Sequence, residues 1–379
     1  MAANATENDM RLAPGTVLAG TLHTYRLQRV LGQGGFGITY EAEELERNKR
    51  VALKEYFPMW SAMRKGDRSV GAKPEREEEF QAGMQRFSGE ARMLASFRPL
   101  PSVVQVMDCF QANGTAYLVM EFLDGVPLHR KAEQMGGRIP AEELLPRLSP
   151  LLDDLEELHQ MGILHRDIAP DNIMWMPDGR LKLMDFGSAR RMEGSQHLTI
   201  ITKPRFAPVE QYTTRGQGSY TDVYALCATL YYLMTGVVPP LSPDRLEGDE
   251  LKAPTLLGAG LTPEEESAIL HGLAVQPKDR TQSMRELKEE LFRGSVVIPA
   301  PDPKPVEEVT PKPWDVTSGF TTSTMYQEPV ENTIQDPVIP PAPKPVSGIR
   351  RYMRKPWFYP VAGAVLGVIV LLAILLAVF

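Results

Sequence analysis

LHRDIAPDNIMWMPDGRLKLMDFGSAR, residues 164–190, sets three oxygen-bearing side chains at fixed spacing: Asp167, Asn172 and Asp185. The stretch reads as a loop, a short apolar strand at 173–176, a turn at Pro177-Asp178-Gly179 and a second strand at 181–184. That punctuation is a hairpin's. A hairpin returns its strand ends to one place, where a carboxylate and an amide offer hard oxygen ligands to Mg²⁺ while a second carboxylate is left to accept a proton. Such equipment suits phosphoryl transfer.

Upstream, the run LGQGGFGITY at 31–40 carries Gly32, Gly34 and Gly37 between two strand-like segments. Before a helix, G-x-G-x-x-G would mean a dinucleotide fold, but Ile38-Thr39-Tyr40 continues as strand. A hairpin lid over phosphates fits better, with an ordinary glycine-rich turn as the alternative. Val51-Ala52-Leu53-Lys54 is an apolar strand ending in a cation, which alone is no more than a solvated charge. Residues 74–97 have an acidic first turn and the apolar spacing of an amphipathic helix, Phe80, Met84, Phe87, Ala91 and Leu94. Two more strands are expected at 103–107 and 117–122, around Asn113-Gly114. Residues 141–161 read as one helix with a leucine stripe that is core, despite Pro146 and Pro150.

The pattern H-R-D-x-x-x-x-N followed by D-F-G resembles the catalytic and metal-binding loops of protein kinases, and the resemblance extends over about residues 25–293. It implies an α+β bilobal fold at 16–294, with a β-rich small lobe (16–122) bearing one helix and a mainly helical large lobe (123–294), and ATP between them. By this resemblance Lys54, held by Glu90, positions the phosphates; Asn172 and Asp185 hold Mg²⁺, or Mn²⁺ in its place; and Asp167 orients the substrate hydroxyl. Leu31, Gly32, Gly34, Gly35 and Gly37 form the lid. Thr39, Ala52 and Met174 sandwich the purine, Met120 guards the back of the pocket, and Glu121 and Leu123 offer their backbone to adenine. Thr39 stands where valine is usual. Asp222 resembles the aspartate that braces the catalytic loop, though a simple helix N-terminal charge is the alternative, and Arg280 resembles a late arginine paired with Glu210.

The chain departs from the family in two places. The gap between Lys54 and Glu90 is long, so 55–73, with Arg64, Lys65, Arg68 and Lys73, is expected to be an inserted, solvated basic loop. Ala169 stands where the family carries lysine, and Lys203 is expected to supply the missing cation from across the loop. Thr199, with Ser195 and Thr202 in reserve, is the expected activating phosphosite, its phosphate to be met by Arg166, which stands beside Asp167. The nearest look is to bacterial membrane-bound serine/threonine kinases, which implies protein substrates and self-association for trans-autophosphorylation. A membrane-tethered pseudokinase acting as a scaffold is the second reading, motivated by Ala169. A small-molecule phosphotransferase is disfavoured by the long loop at 188–210 and by Glu210/Arg280.

Composition bounds the rest. The 379 residues are 43% hydrophobic and carry 41 basic against 48 acidic side chains, net −7, with no surplus that would draw the chain onto nucleic acid. Two distant cysteines, Cys109 and Cys227, suit a reducing compartment. Residues 1–15 read as a frayed tail. Residues 295–349 are a proline-rich linker whose PDPKPV and PAPKPV near-repeats read as a stiff spacer or as polyproline ligands, and the 317–324 hydroxyl cluster is a candidate autophosphorylation tract. A basic and aromatic flank at 350–360 precedes an uncharged apolar run at 361–379, roughly 28 Å as a helix. That is the signature of a single membrane span with the catalytic region on the cytoplasmic side of the cell membrane.

Overall fold

The computed structural model describes residues 10–95, 98–186, 190–191, 203–213 and 216–293, all within the first of the two units into which the chain divides. The small lobe is built on alternation. In β4 (Lys49–Tyr56), Val51, Leu53 and Glu55 are buried while Ala52 and Lys54 are half-buried on the opposite face, the period-2 pattern of a strand. With β1 (Val17–Ala19), β2 (Thr24–Gly34) and β3 (Gly37–Glu44), β4 forms an antiparallel sheet. Two later strands complete it, β7 (Val106–Ala112) and β8 (Thr115–Glu121), in the order β1-β2-β3-β4-β8-β7.

Between β4 and β7 the chain makes a small hairpin, β5 (Ala62–Arg64) with β6 (Val70–Ala72), and then helix α1 (Glu77–Ala95). Glu77, Glu78 and Glu79 occupy the first turn of α1, where the helix dipole favours acids. The helix buries Phe80, Ser88 and Ala91 against the sheet. The amino-terminal segment departs from the expected tail: Leu12 is buried in the small-lobe core, and its amide donates to Tyr40 Oη at 3.0 Å.

The large lobe begins with β9 (Val126–Pro127) and α2 (Leu128–Gln134). The single helix expected over 141–161 is divided into a turn at Ala141–Leu144, a tighter turn at Leu145–Arg147 and α3 (Leu148–Gln160). Pro146 is the cause, since it has no N–H to continue the ladder, whereas Pro150 falls in the first turn of α3, where no such bond is needed. The leucine stripe is buried as expected. At the centre lies α4 (Ser219–Thr235), buried almost throughout and ended by Gly236 at φ +74°. It is packed by α5 (Pro263–Gly272) and α6 (Met284–Leu291). Among the described residues no helix is long and apolar enough to cross a membrane, and 294–379, with the linker, its flank and the apolar run, lie outside them.

Candidate functional site

The quoted stretch folds as the hairpin its punctuation predicts. After β10 (Ile163–Leu164) comes the loop, then β11 (Ile173–Trp175) paired with β12 (Leu181–Leu183). The loop is held from below by Asp222, in the first turn of α4 and fully buried. Its two carboxylate oxygens accept from the amides of His165 and Arg166, both at 2.8 Å, and His159 Nε2 lies 2.8 Å from Oδ2. Burial alone would raise the Asp222 pKa, but the His159 bond, the charges of His159 and His165 and the Arg166 amide outweigh it and hold the carboxyl below its ordinary range. Asp222 is therefore a brace rather than a mere helix charge. Arg166 adopts φ +66°, a left-handed conformation rare for its type, and it is fixed on both sides: its amide by Asp222, its carbonyl by Gln211 Nε2 at 2.8 Å.

The three named side chains converge. Asn172 Nδ2 donates to the Asp167 carbonyl at 2.7 Å and to its Oδ2 at 3.0 Å, and the Met184 amide donates to the Asn172 carbonyl at 2.8 Å, which brings Asp185 alongside. His165 joins the two loops: the Asp167 amide donates to Nδ1 at 3.3 Å, and Nε2 donates to the Met184 carbonyl at 3.2 Å. That pair of bonds requires the neutral imidazole with its proton on Nε2. The electrostatics agree, because complete burial lowers the His165 pKa against the pull of Asp222, Asp167 and Asp185. Phe186 packs edge-on to the ring, centroids 4.7 Å apart.

Among the described residues there is no group of three or more His, Cys, Asp and Glu that could cage a metal. The fit is to Mg²⁺ shared with phosphates, which needs only one or two protein oxygens. With the Asn172 amide nitrogen engaged by Asp167, its Oδ1 and the Asp185 carboxylate, which also pairs with Lys54, are the hard oxygens that would meet such an ion.

On the facing sheet, Lys54 sits between Thr39 of β3 and Leu118 of β8. Its ammonium forms an ion pair with Asp185 Oδ1. The expected partner was Glu90. Lys54 meets Asp185, itself at φ +63°, instead, while Glu90 is half-buried on α1, one residue before buried Ala91. The glycine run is a hairpin, β2 ending at Gly34 and β3 starting at Gly37. A Cβ at Gly37 would meet the Glu55 carbonyl at 2.3 Å, so close approach of β3 to β4 requires glycine there, while Gly32 and Gly34 face open space. Gly35 is at the tip and Leu31 is exposed on β2. Ala52 is the register partner of Met120, which is buried, and Met174 lies on β11 opposite Pro127. The Glu121 side chain accepts from Gln105 N at 2.7 Å and pairs with Lys182 at 2.6 Å, so Lys182 is committed to this connection, and Leu123 packs on the large-lobe core.

Arg280 and Glu210 form the expected buried pair, Nη1 to Oε1 at 2.7 Å, and Thr221 Oγ1 donates to the same carboxylate at 3.0 Å. Lys203 is placed otherwise than expected. It meets Asp171 Oδ2 at 2.8 Å, and Asp171 also pairs with His129 at 2.8 Å, so the Lys203 charge is held at the loop's outer carboxylate rather than at Asp167. Ala169 is fully buried and accepts from the Asn172 amide at 2.9 Å. Ser195, Thr199 and Thr202 lie outside the described residues.

One feature beside the site was missed. Arg64, read as part of a solvated basic loop, is buried and makes a two-pronged contact with Glu55, 2.6 and 2.7 Å, next in sequence to Lys54. Tyr117 and Tyr40 hydroxyls donate to the same carboxylate at 2.8 and 3.1 Å, and Arg64 also donates to the Met10 carbonyl. Burial first, then the Glu55 charge, push both phenols well above their usual range, which keeps them donors. The signal was present: strand alternation puts Glu55 on the face of Val51 and Leu53, and a carboxylate there demands a cation.

Comparison with known proteins agrees with this geometry. The family model described as "Protein kinase domain" matches residues 25–258. A probable serine/threonine-protein kinase of Streptomyces coelicolor is 31% identical over 70% of this chain and 39% of its own length. The serine/threonine-protein kinase PknA of Nostoc sp. is 27% identical over 85% of this chain and 56% of its own length. This chain thus spans about half or less of the length of these relatives. A solved structure described as "PpkA-294 apo form" superposes with a TM-score of 0.66 at 38% identity, covering 74% of this chain and 99% of that one.

Proposed function

This chain belongs to the protein kinase family, and from that premise we propose that it transfers the γ-phosphate of ATP to serine and threonine hydroxyls of proteins. The observation that carries the proposal is the convergence of Asp167, Asn172 and Asp185 with Lys54 across one cleft. The ammonium of Lys54 neutralises phosphate charge. Asn172 Oδ1 and the Asp185 carboxylate would hold Mg²⁺, which when bound would supply further charge neutralisation of the phosphates. Asp167 orients the substrate hydroxyl and accepts its proton, fixed in place by Asn172 and by the His165 ring. Catalysis of this type is positioning and charge stabilisation, so a loop pinned by Asp222 is its structural requirement. The names of the relatives support hydroxyl amino acids of proteins as acceptors.

The uncharged run at 361–379, with Arg350, Arg351, Arg354 and Lys355 ahead of it, supports tethering to the cell membrane with the catalytic region in the cytoplasm. Its test is recovery of the chain in the membrane fraction, lost on removal of 361–379.

The activity is tested by incubating the full chain with labelled ATP, Mg²⁺ and a general protein substrate. Label is expected on serine and threonine, and Asp167→Asn should abolish it. Equal labelling by that variant, or none by the native chain, would sink the proposal.

A further inference from the structure

The insert between Lys54 and α1 touches the tip of the glycine lid. The Phe57 amide donates to the Phe36 carbonyl at 3.1 Å and the Met59 amide to the Gly35 carbonyl at 3.0 Å, so the lid's turn is hydrogen-bonded to the insert's first residues. Trp60 packs edge-on against Phe36, ring centroids 4.8 Å apart and planes at 86°. On its other side, the Trp60 indole donates to Glu79 Oε1 at 2.7 Å, in the first turn of α1. Arg76 holds the second oxygen of that carboxylate at 2.8 Å. The bonds from Arg76 and Trp60 lower the Glu79 pKa, so the acceptor stays ionised. One side chain thus spans from the lid tip to the helix that carries Glu90.

We propose that Trp60 is a positioning residue that couples the glycine lid to α1, so that lid and helix move together and the lid is ordered before nucleotide arrives. The proposal rests on the kinase reading and goes beyond it, since it assigns a role to a segment outside the catalytic motifs. The physical reason is that a lid of glycines is entropically free and its ordering opposes nucleotide binding; contacts that fix it beforehand remove part of that cost. An aromatic pair of this geometry is strong enough to shift nucleotide affinity by about three- to tenfold.

The test is steady-state phosphotransfer by the full chain. Trp60→Ala and Phe36→Leu should each raise KM for ATP about three- to tenfold, with KM for the protein substrate unchanged. Combined, they should be no worse than either alone, because both remove one contact. Trp60→Phe keeps a ring for Phe36 but loses the N–H that reaches Glu79, so it should also raise KM for ATP, and a native KM for ATP in that variant overturns the coupling to α1. A general loss of structure would lower kcat and thermal stability without this pattern. Unchanged KM for ATP in Trp60→Ala, or additive losses in the double variant, overturns the coupling. Where Trp60→Ala does not fold, Phe36→Leu decides by the same criterion. Failure of the native chain to transfer phosphate removes the kinase reading itself and is distinguishable from a native chain that works beside silent variants.

Discussion

Two fully buried carboxylates organise this unit, Asp222 in the large lobe and Glu55 in the small one, and they are satisfied in opposite ways. Asp222 is met chiefly by backbone amides, those of His165 and Arg166, with His159 behind. Among the described residues, Glu55 is met by side chains alone, those of Arg64, Tyr40 and Tyr117. A carboxylate that binds backbone fixes the path of a loop, so its loss should be felt in catalysis. One that binds side chains fastens separate segments together, here the insert, the sheet and through Arg64 the Met10 carbonyl, so its loss should be felt in stability.

The largest effect expected is on the side-chain cluster. Arg64→Ala leaves the Glu55 charge buried without its cation and should cost about 3–5 kcal/mol, read as a lowered denaturant midpoint. Adding Glu55→Gln should recover much of the loss, since a neutral amide tolerates burial better than a charge. A cost under about 1 kcal/mol would mean that water reaches Glu55 and that the contrast between the two clusters is false.

Asp222→Asn comes next and should show the reverse. One carboxylate oxygen becomes an N–H facing an amide donor, so the strained turn at Arg166 relaxes and Asp167 moves. Displacement on the order of 1 Å can cost about 100-fold in turnover. KM for ATP should change far less, because Lys54 and the lid are in the other lobe. Equal damage to both parameters would show that Asp222 acts on the whole unit rather than on the loop.

How far each cluster could be read from sequence follows from the same contrast. Asp222 was legible because its partners His165 and Arg166 lie inside the stretch that announces the fold, and Glu210 and Arg280 were legible by the same resemblance. Glu55 was not, because its donors come from positions 40, 64 and 117, and no spacing along the chain brings these together. Arg64 was misread because local charge density says nothing about burial, whereas the alternation of Val51, Leu53 and Glu55 does. A strong leucine period predicts one continuous helix, and Pro146, which cannot continue the ladder, divides it. Glu90 lies in α1, but which carboxylate Lys54 meets depends on the turn at Asp185, which a one-dimensional pattern does not fix.

A pH series sharpens the comparison at smaller amplitude. Burial keeps His165 below the ordinary imidazole value of 6.5, so the unfolded chain takes up a proton that the native chain refuses as pH falls below that value. Stability is therefore full above about 6.5 and declines below it, by at most about 1.4 kcal/mol per pH unit for one group, until the folded-state value is passed. Asp222, held below the ordinary carboxyl value of 3.8, adds stability that is present above 3.8 and lost as pH falls through its folded value. His165→Asn should flatten the limb just below 6.5 in thermal or denaturant melts. An unchanged limb would mean that another group refuses the proton.

The smallest effect expected is at Lys203, and it bears on whether the catalytic loop lacks a cation at all. Ala169 leaves the family's lysine position without charge, and sequence alone makes Lys203 the replacement. In the structure Lys203 is 2.8 Å from Asp171, and both side chains are partly exposed. Ion pairs of that kind contribute about 0–1 kcal/mol, and Asp171 retains His129 when Lys203 is removed. Lys203→Ala should accordingly change kcat by less than about fivefold, with Asp167 still fixed by Asn172. Ala169 is fully buried, so Ala169→Lys must place a long charged stem where no room has been left, and it should destabilise whether or not Lys203 is present. A double-mutant cycle on kcat separates the two accounts. If Lys203→Ala cuts turnover by about 100-fold and Ala169→Lys restores part of it, Lys203 leaves Asp171 in the reacting complex and carries its charge to the phosphate. If the two substitutions act independently and Lys203→Ala is nearly silent, the loop works without a replacement for the missing lysine, with Lys54 and any cation that Asn172 and Asp185 would hold left to balance the phosphate.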